Sequence, residues 1–129
     1  MPPRRSETLT EAELRVMNVL WGHGAGSVQQ VLDHLPEKLN LAYNSVLTTI
    51  RVLEKKGYLE HSKDGRAHIY RPLIARDEAS RSEVQHLVSR FFRNSHELLL
   101  LNLLENQNLD AVELKKLREM IKATEENSR

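Results

Sequence analysis

The sequence predicts a mainly α protein with a small β-hairpin wing: a winged helix-turn-helix followed by a C-terminal helical dimerisation segment. Three observations predict it. Three helical patterns follow one another in the first half, the third with a polar and cationic outer face; a hairpin signal comes directly after them; and everything beyond Leu73 is helical and rich in leucine. These patterns divide the chain into residues 1–73, expected to form the winged-helix DNA-binding domain, and residues 74–129, expected to form the helical dimerisation domain.

The first helix has a complete start signal: Thr10 as N-cap, Glu13 three residues on, and Leu9 placed to staple onto Leu14. Its inward stripe reads Leu14, Val16, Met17, Leu20 and Trp21, and Gly22, Gly24 and Gly26 then break it. Ser27 with Gln30 repeats the cap spacing and opens a short helix through Val28, Val31, Leu32 and Leu35 that stops at Pro36. The loop PEKLN leads into LAYNSVLTTIRVLEKKGY, residues 41–58. At about 100° per residue, Ala42, Tyr43, Val46, Ile50 and Leu53 gather on one side, facing a core. Opposite lie Asn44, Ser45, Thr48, Arg51, Val52 and Lys55. That band suits the DNA major groove: Asn can bond an adenine edge at two points, Arg can fork onto guanine, Ser and Thr bring the backbone close, and Val can touch a thymine methyl. A solvated face of an ordinary amphipathic helix has a similar composition, so the neighbours must decide.

The neighbour that decides is the hairpin. Gly57 ends the third helix, and residues 58–63 and 66–71 flank Asp64-Gly65, among the strongest short hairpin signals. A two-residue turn there sets Lys63 opposite Arg66 at the tip, two cations suited to phosphate contact or to solubility. Pro72 ends the second strand.

Beyond Leu73, Val84, Leu87, Val88, Phe91 and Phe92 follow helical spacing, and Leu98 to Leu104 wrap nearly all sides of a short segment. A helix apolar all round must be buried. The last helix starts at Asp110 with Glu113 as its box partner and Leu109 stapling onto Leu114, then continues through Leu117 and Ile121. Since the winged helix already has its own core, the economical cover for these faces is a second copy of the chain. Leu87, Phe91, Leu100, Leu101, Leu104 and Leu117 are the expected homodimer contacts.

Composition narrows the function. The net charge is +1, yet residues 51–71 hold six Lys/Arg against three Asp/Glu, so positive charge sits around the third helix and the hairpin. With no Cys, disulfides, thiolate zinc sites and cysteine nucleophiles are excluded. His61 and His68 face each other across the predicted hairpin, but two His need at least one more ligand and spacing fixes none, so no metal is expected. No catalytic constellation is recognisable and the three glycines near residue 24 do not fit a phosphate loop, so neither an enzyme nor a cofactor is expected. The stretch MPPRRSET has no apolar run after its arginines, and the leucine cluster, interrupted by Asn102, is too short to cross a bilayer. A soluble cytoplasmic protein without membrane insertion is the expectation.

Four stretches together resemble a known family: LTEAELRVMNVLW, AYNSVLTTIRVLEKKGYLEH, the wing KDGRAHIYRPL, and LLNLLENQNLDAVELKKLREMI. They resemble, in order and spacing, the penicillinase-repressor (BlaI/MecI) family of bacterial winged-helix regulators, over about residues 7–122. The resemblance implies a homodimeric repressor on a dyad DNA operator in antibiotic-resistance regulation. It further implies release when a membrane sensor-protease cuts the repressor in its dimerisation region, at a bond that maps onto Asn102–Leu103; relatives commonly have Phe where this chain has Leu103. The copper-sensing branch carries cysteine motifs that this chain lacks. Two other readings stay open: a winged-helix regulator of other genes controlled by a small ligand or partner protein without proteolysis, and a winged helix used for protein or RNA contact.

Overall fold

The computed structural model describes residues 8–106 and 108–128. The expectation of no signal peptide rests on residues 1–8, and 1–7 of these lie outside the described residues. Among them the chain runs α1 (Glu11–His23), α2 (Val28–His34), a 3₁₀ turn (Glu37–Leu39), α3 (Tyr43–Lys55), β1 (Leu59–Asp64), β2 (Ala67–Pro72), α4 (Arg76–Phe91), α5 (His96–Asn106) and α6 (Ala111–Asn127). It divides into two compact units, residues 1–87 and 88–129.

In the first unit both cap boxes form. Glu13 N–H donates to Thr10 Oγ1 at 3.2 Å while Thr10 N–H donates to Glu13 Oε1 at 2.9 Å, and Gln30 and Ser27 exchange the same pair of bonds. Gly24, at φ 86°, closes α1 by donating to Leu20 O at 2.7 Å. Two residues later Gly26 exchanges both backbone bonds with Tyr70, at 2.9 and 2.8 Å, which ties the α1–α2 connection to the base of the hairpin. The core under these elements is Val16, Met17 and Leu20 of α1, Val28 and Val31 of α2, Val46, Ile50 and Leu53 of α3, closed by Tyr58, Leu59 and Tyr70.

Three expected core positions are corrected. Leu14 is 40% exposed, because the buried stripe of α1 begins at Glu13 and runs through Val16, Met17 and Leu20, leaving Leu14 about 100° off its axis. Glu13 tolerates the buried place because its carboxylate takes the Lys56 ammonium at 2.7 Å as well as its cap bond. Tyr43 is 45% exposed and Ala42 is the extended N-cap residue. A helical wheel gives direction and not depth: the first turn of α3 precedes the level at which Val46 enters the core.

The first unit continues past residue 73 to Leu87, because Ile74 and Ala79 pack in its core. Trp21 Nε1 donates to Ile74 O at 2.8 Å, the Arg76 guanidinium lies 5.3 Å from the Trp21 ring centroid, and Leu9 N–H donates to Glu83 Oε1 at 2.7 Å.

In the second unit α4 ends through Arg93 and Asn94, both left-handed, with Asn94 N–H donating to Val88 O at 3.0 Å. Ser95 then caps α5 by accepting from Leu98 N–H, and Asp110 caps α6 by accepting from Glu113 N–H. Neither α5 nor α6 has a buried residue within one chain. The cover that a helix apolar on all sides requires is therefore not supplied by the described residues of the single chain.

Core and groove positions on α3 should separate in stability. Ile50→Ala is expected to cost about 2–5 kcal/mol, and Tyr43→Ala less than about 0.5 kcal/mol, measured by urea denaturation of the full chain.

Candidate nucleic-acid interface

The third helix stops and the wing starts within two residues. Lys56 is the C-cap of α3 and Gly57 follows at φ 89°. Gly57 N–H donates to Glu54 O at 3.1 Å and Tyr58 N–H to Leu53 O at 3.0 Å, the two bonds of a Schellman motif. Buried Tyr58 then accepts at its carbonyl from Leu73 N–H at 2.8 Å, so both strands leave α3 at a fixed angle.

On α3 the side chains of Asn44, Ser45, Thr48, Arg51, Val52 and Lys55 are all exposed. Thr48 Oγ1 donates to Asn44 O at 2.8 Å and Thr49 Oγ1 to Ser45 O at 3.0 Å, which fixes the hydroxyl rotors against the helix. Of the paired lysines at the helix end, Lys56 is tied to Glu13, and Lys55 faces outward.

The hairpin forms, with its two-residue turn one position later than expected, so that each pairing is shifted by two residues. Asp64 pairs with Ala67, so Gly65 and Arg66 are the turn residues, and Lys63 lies opposite His68 instead of Arg66. Gly65 has φ 63°, and Arg66 is not among the positive-φ residues, the pattern of a type II′ turn with Gly in first place. An Asp-Gly pair marks a hairpin without fixing register, because its Gly can serve as the second residue of a I′ turn or the first of a II′ turn. Lys63 and Arg66 remain exposed at the tip.

The shift also changes the histidines. His61 lies opposite Tyr70, and its ring meets His68 along the diagonal, with centroids 4.7 Å apart and planes 18° from parallel. His61 Nδ1 also contacts Glu54 Oε2 of α3. Among the described residues no group of three His, Cys, Asp or Glu is arranged to hold a metal ion. Burial, and then the negative charge of Glu54, push the Tyr70 phenol up, so its hydroxyl keeps its proton at neutral pH.

Between α2, α3 and the wing lies an open cleft of about 330 Å³. Arg51 and Tyr43 of α3, Arg66 and His68 of the wing and Gln29 of α2 line it, and among the described residues no carboxylate does. The sequence reading brought Arg51 and Arg66 to this face and missed Tyr43, Gln29 and His68. Tyr43 was assigned to the core by its wheel angle; His68 emerges only with the true register; Gln29 carries no local signal beyond following the Ser27 cap.

Leu87, the last residue of the first unit, and Phe91, Leu100, Leu101 and Leu104 of the second are exposed in the single chain, and Leu117 is half-buried. Asn102 and Leu103 lie exposed in the middle of α5.

Residues 9–123 match the penicillinase repressor family. The chain belongs to the penicillinase-repressor family. The penicillinase repressor of Bacillus licheniformis is 32% identical over 115 residues, 88% of each chain. A methicillin resistance regulatory protein MecI of Staphylococcus aureus is 22% identical over 113 residues, covering 88% of this chain and 92% of that one. Among solved structures, the DNA binding domain of the repressor BlaI superposes with a TM-score of 0.52 at 31% identity, over 58% of this chain and 92% of that domain. These relatives are a repressor and a resistance regulatory protein, not enzymes. The winged-helix expectation for the fold is met.

Two classes of contact should separate on this face. Asn44→Ala or Arg51→Ala is expected to cost about 1–3 kcal/mol on a preferred duplex and to relax base choice. Lys63→Ala or Arg66→Ala is expected to weaken all duplexes alike and to lower the salt slope by about one. Fluorescence anisotropy across a salt series distinguishes them, and unchanged site preference in both α3 variants overturns the assignment of that helix to base reading.

Proposed function

We propose that this chain is a sequence-specific DNA-binding transcriptional repressor that acts as a homodimer on a dyad operator. The observation that carries the reading is the exposed polar and cationic face of α3, set beside a cleft lined by two arginines and no carboxylate. Family membership supports it. Asn44, Ser45, Thr48 and Arg51 are the base-reading candidates; Lys55, Lys63 and Arg66 hold phosphates.

Dimerisation rests on the uncovered leucines. Leu100, Leu101 and Leu104 of α5, with Leu87, Phe91 and Leu117, offer apolar surface whose burial contributes about 1.5–3 kcal/mol per side chain. A second copy covers them and makes the second half-site contact intramolecular, which raises affinity by about two to four orders of magnitude over one reader. Repression then depends on the second unit. A membrane sensor-protease that cuts Asn102–Leu103 removes Leu104 and all of α6 and leaves the reader whole. The bond sits inside a helix, so α5 must open locally to be cut, and Asn102, polar among leucines, lowers the cost of that opening. Among the described residues no helix is long and apolar enough to cross a membrane, and a repressor of this kind works where the chromosome is, in the cytoplasm.

Selection of binding sites from random duplexes by the full chain is the direct test. The expected product is a two-fold symmetric site with half-sites about 34 Å apart, or a multiple of that spacing. Sites without symmetry overturn the dyad, and no enrichment overturns DNA reading altogether. Leu100→Glu or Leu104→Glu should yield monomers in analytical ultracentrifugation, with the reader still folded and the operator lost. Residues 1–102 expressed alone should behave in the same way; a dimeric fragment, or one with the full chain's affinity, rules out induction by this cut and leaves a small ligand or partner protein as the inducer.

A further inference from the structure

The α3-facing side of the wing is graded from core to solvent. Strand alternation puts Leu59, His61 and Lys63 of β1 on one side with Tyr70 and His68 of β2. Leu59 and Tyr70 are buried at the base, the two stacked imidazoles come next, and Lys63 lies opposite His68 toward the tip. The two imidazoles are not equivalent. His61 is held by Glu54, whereas no hydrogen bond to another described residue engages the ring nitrogens of His68. His68 instead lines the cleft that Arg51 and Arg66 also line.

We propose that His68 contacts a backbone phosphodiester of bound DNA in this cleft and takes up a proton when it does so. The proposal rests on the DNA-binding reading above. A concavity lined by one arginine from α3 and one from the wing, with no carboxylate among the described residues, selects an anion, and Val28 and Leu47 in its lining offer apolar surface to a sugar. Gln29 stands at the α2 edge as a neutral donor.

The sign of the proton linkage follows from what surrounds the ring. Lys63 and His61 face it from β1, Arg66 and Tyr70 from its own side of the hairpin, and Arg51 and Tyr43 from α3, with Glu54 behind His61; α2 contributes no charged side chain to the cleft. A phosphodiester between His68 and Arg51 favours the imidazolium, since an opposite charge close by favours the charged form. Binding therefore takes up a proton, and affinity rises as pH falls through the range in which imidazoles titrate. Glu54 acts as a positioning residue: it fixes His61, and the stack on His61 aims His68 into the cleft.

The test measures the full chain on a random-sequence duplex and on a selected site at fixed salt, from about pH 8 to about pH 6. The wild-type chain should gain on the order of five- to tenfold in affinity on both duplexes. His68→Gln should lose that gain, and His68→Arg should show the acid-side affinity at every pH. His34→Gln serves as control and should keep the wild-type slope, because His34 lies at the end of α2 with its ring on Gln30 O. A flat wild-type profile, or a His68→Gln chain with the wild-type slope, overturns the proposal while leaving DNA binding intact. Absence of duplex binding at every pH overturns the underlying reading instead. If inorganic phosphate perturbs the His68 imidazole resonances as the duplex does, the cleft is a site for a free anion and the proposal falls.

Discussion

The left-handed turn at Gly57 is the constraint on which the reading face depends. A residue with a Cβ pays about 1–2 kcal/mol for that conformation, and glycine adopts it freely. Because the turn is that tight, α3 hands its chain directly to a buried Tyr58 and from there to β1, with no loop between helix and wing. Three further ties make the assembly stiff: the two Gly26–Tyr70 backbone bonds, the contact of Glu54 with His61, and the Lys56 ammonium on Glu13. The residues of α3 and the wing tip are thus presented as parts of one body, so any anion seated between them is held by groups that need little rearrangement.

Much of this was legible in the sequence, and the parts that were not share a cause. Thr10 with Glu13 and Ser27 with Gln30 act within four residues, so their spacing alone fixed two helix starts. Gly57 and the Asp64-Gly65 pair likewise announced the helix stop and the hairpin. What escaped needed tertiary information. Register depends on which turn position Gly65 occupies; the depth of Tyr43 depends on where the core ends; and the buried place of Glu13 depends on Lys56, 43 residues away. The boundary at residue 73 followed a change in sequence pattern, whereas the packing continues because Trp21 reaches Ile74 and Arg76. The candidate base-reading residues were identified from chemistry that a helical wheel displays, and His68 and Gln29 were not, since their relevance is set by the cleft wall opposite them.

The two units contrast in how they satisfy their apolar side chains. The first unit packs a core of its own, from Val16 to Ala79. The helices α5 and α6 have ordered caps at Ser95 and Asp110 and no buried residue, so local signals define them and packing within one chain does not. A helix held chiefly by its caps opens more readily than one held by a core. Stability in that half of the molecule is therefore the property most open to change by whatever covers the leucines.

Under the proposed function, one detail of α3 limits the chemistry it can read. Thr48 has donated its hydroxyl proton to Asn44 O, so Oγ1 has lone pairs and no hydrogen to offer outward. It can accept from an exocyclic amine, the N4 group of cytosine or the N6 group of adenine, and it cannot donate to the acceptor edge that guanine shows in the major groove. A hydroxyl that would otherwise be indifferent to its partner is left as an outward acceptor only, and the choice is made by the helix backbone.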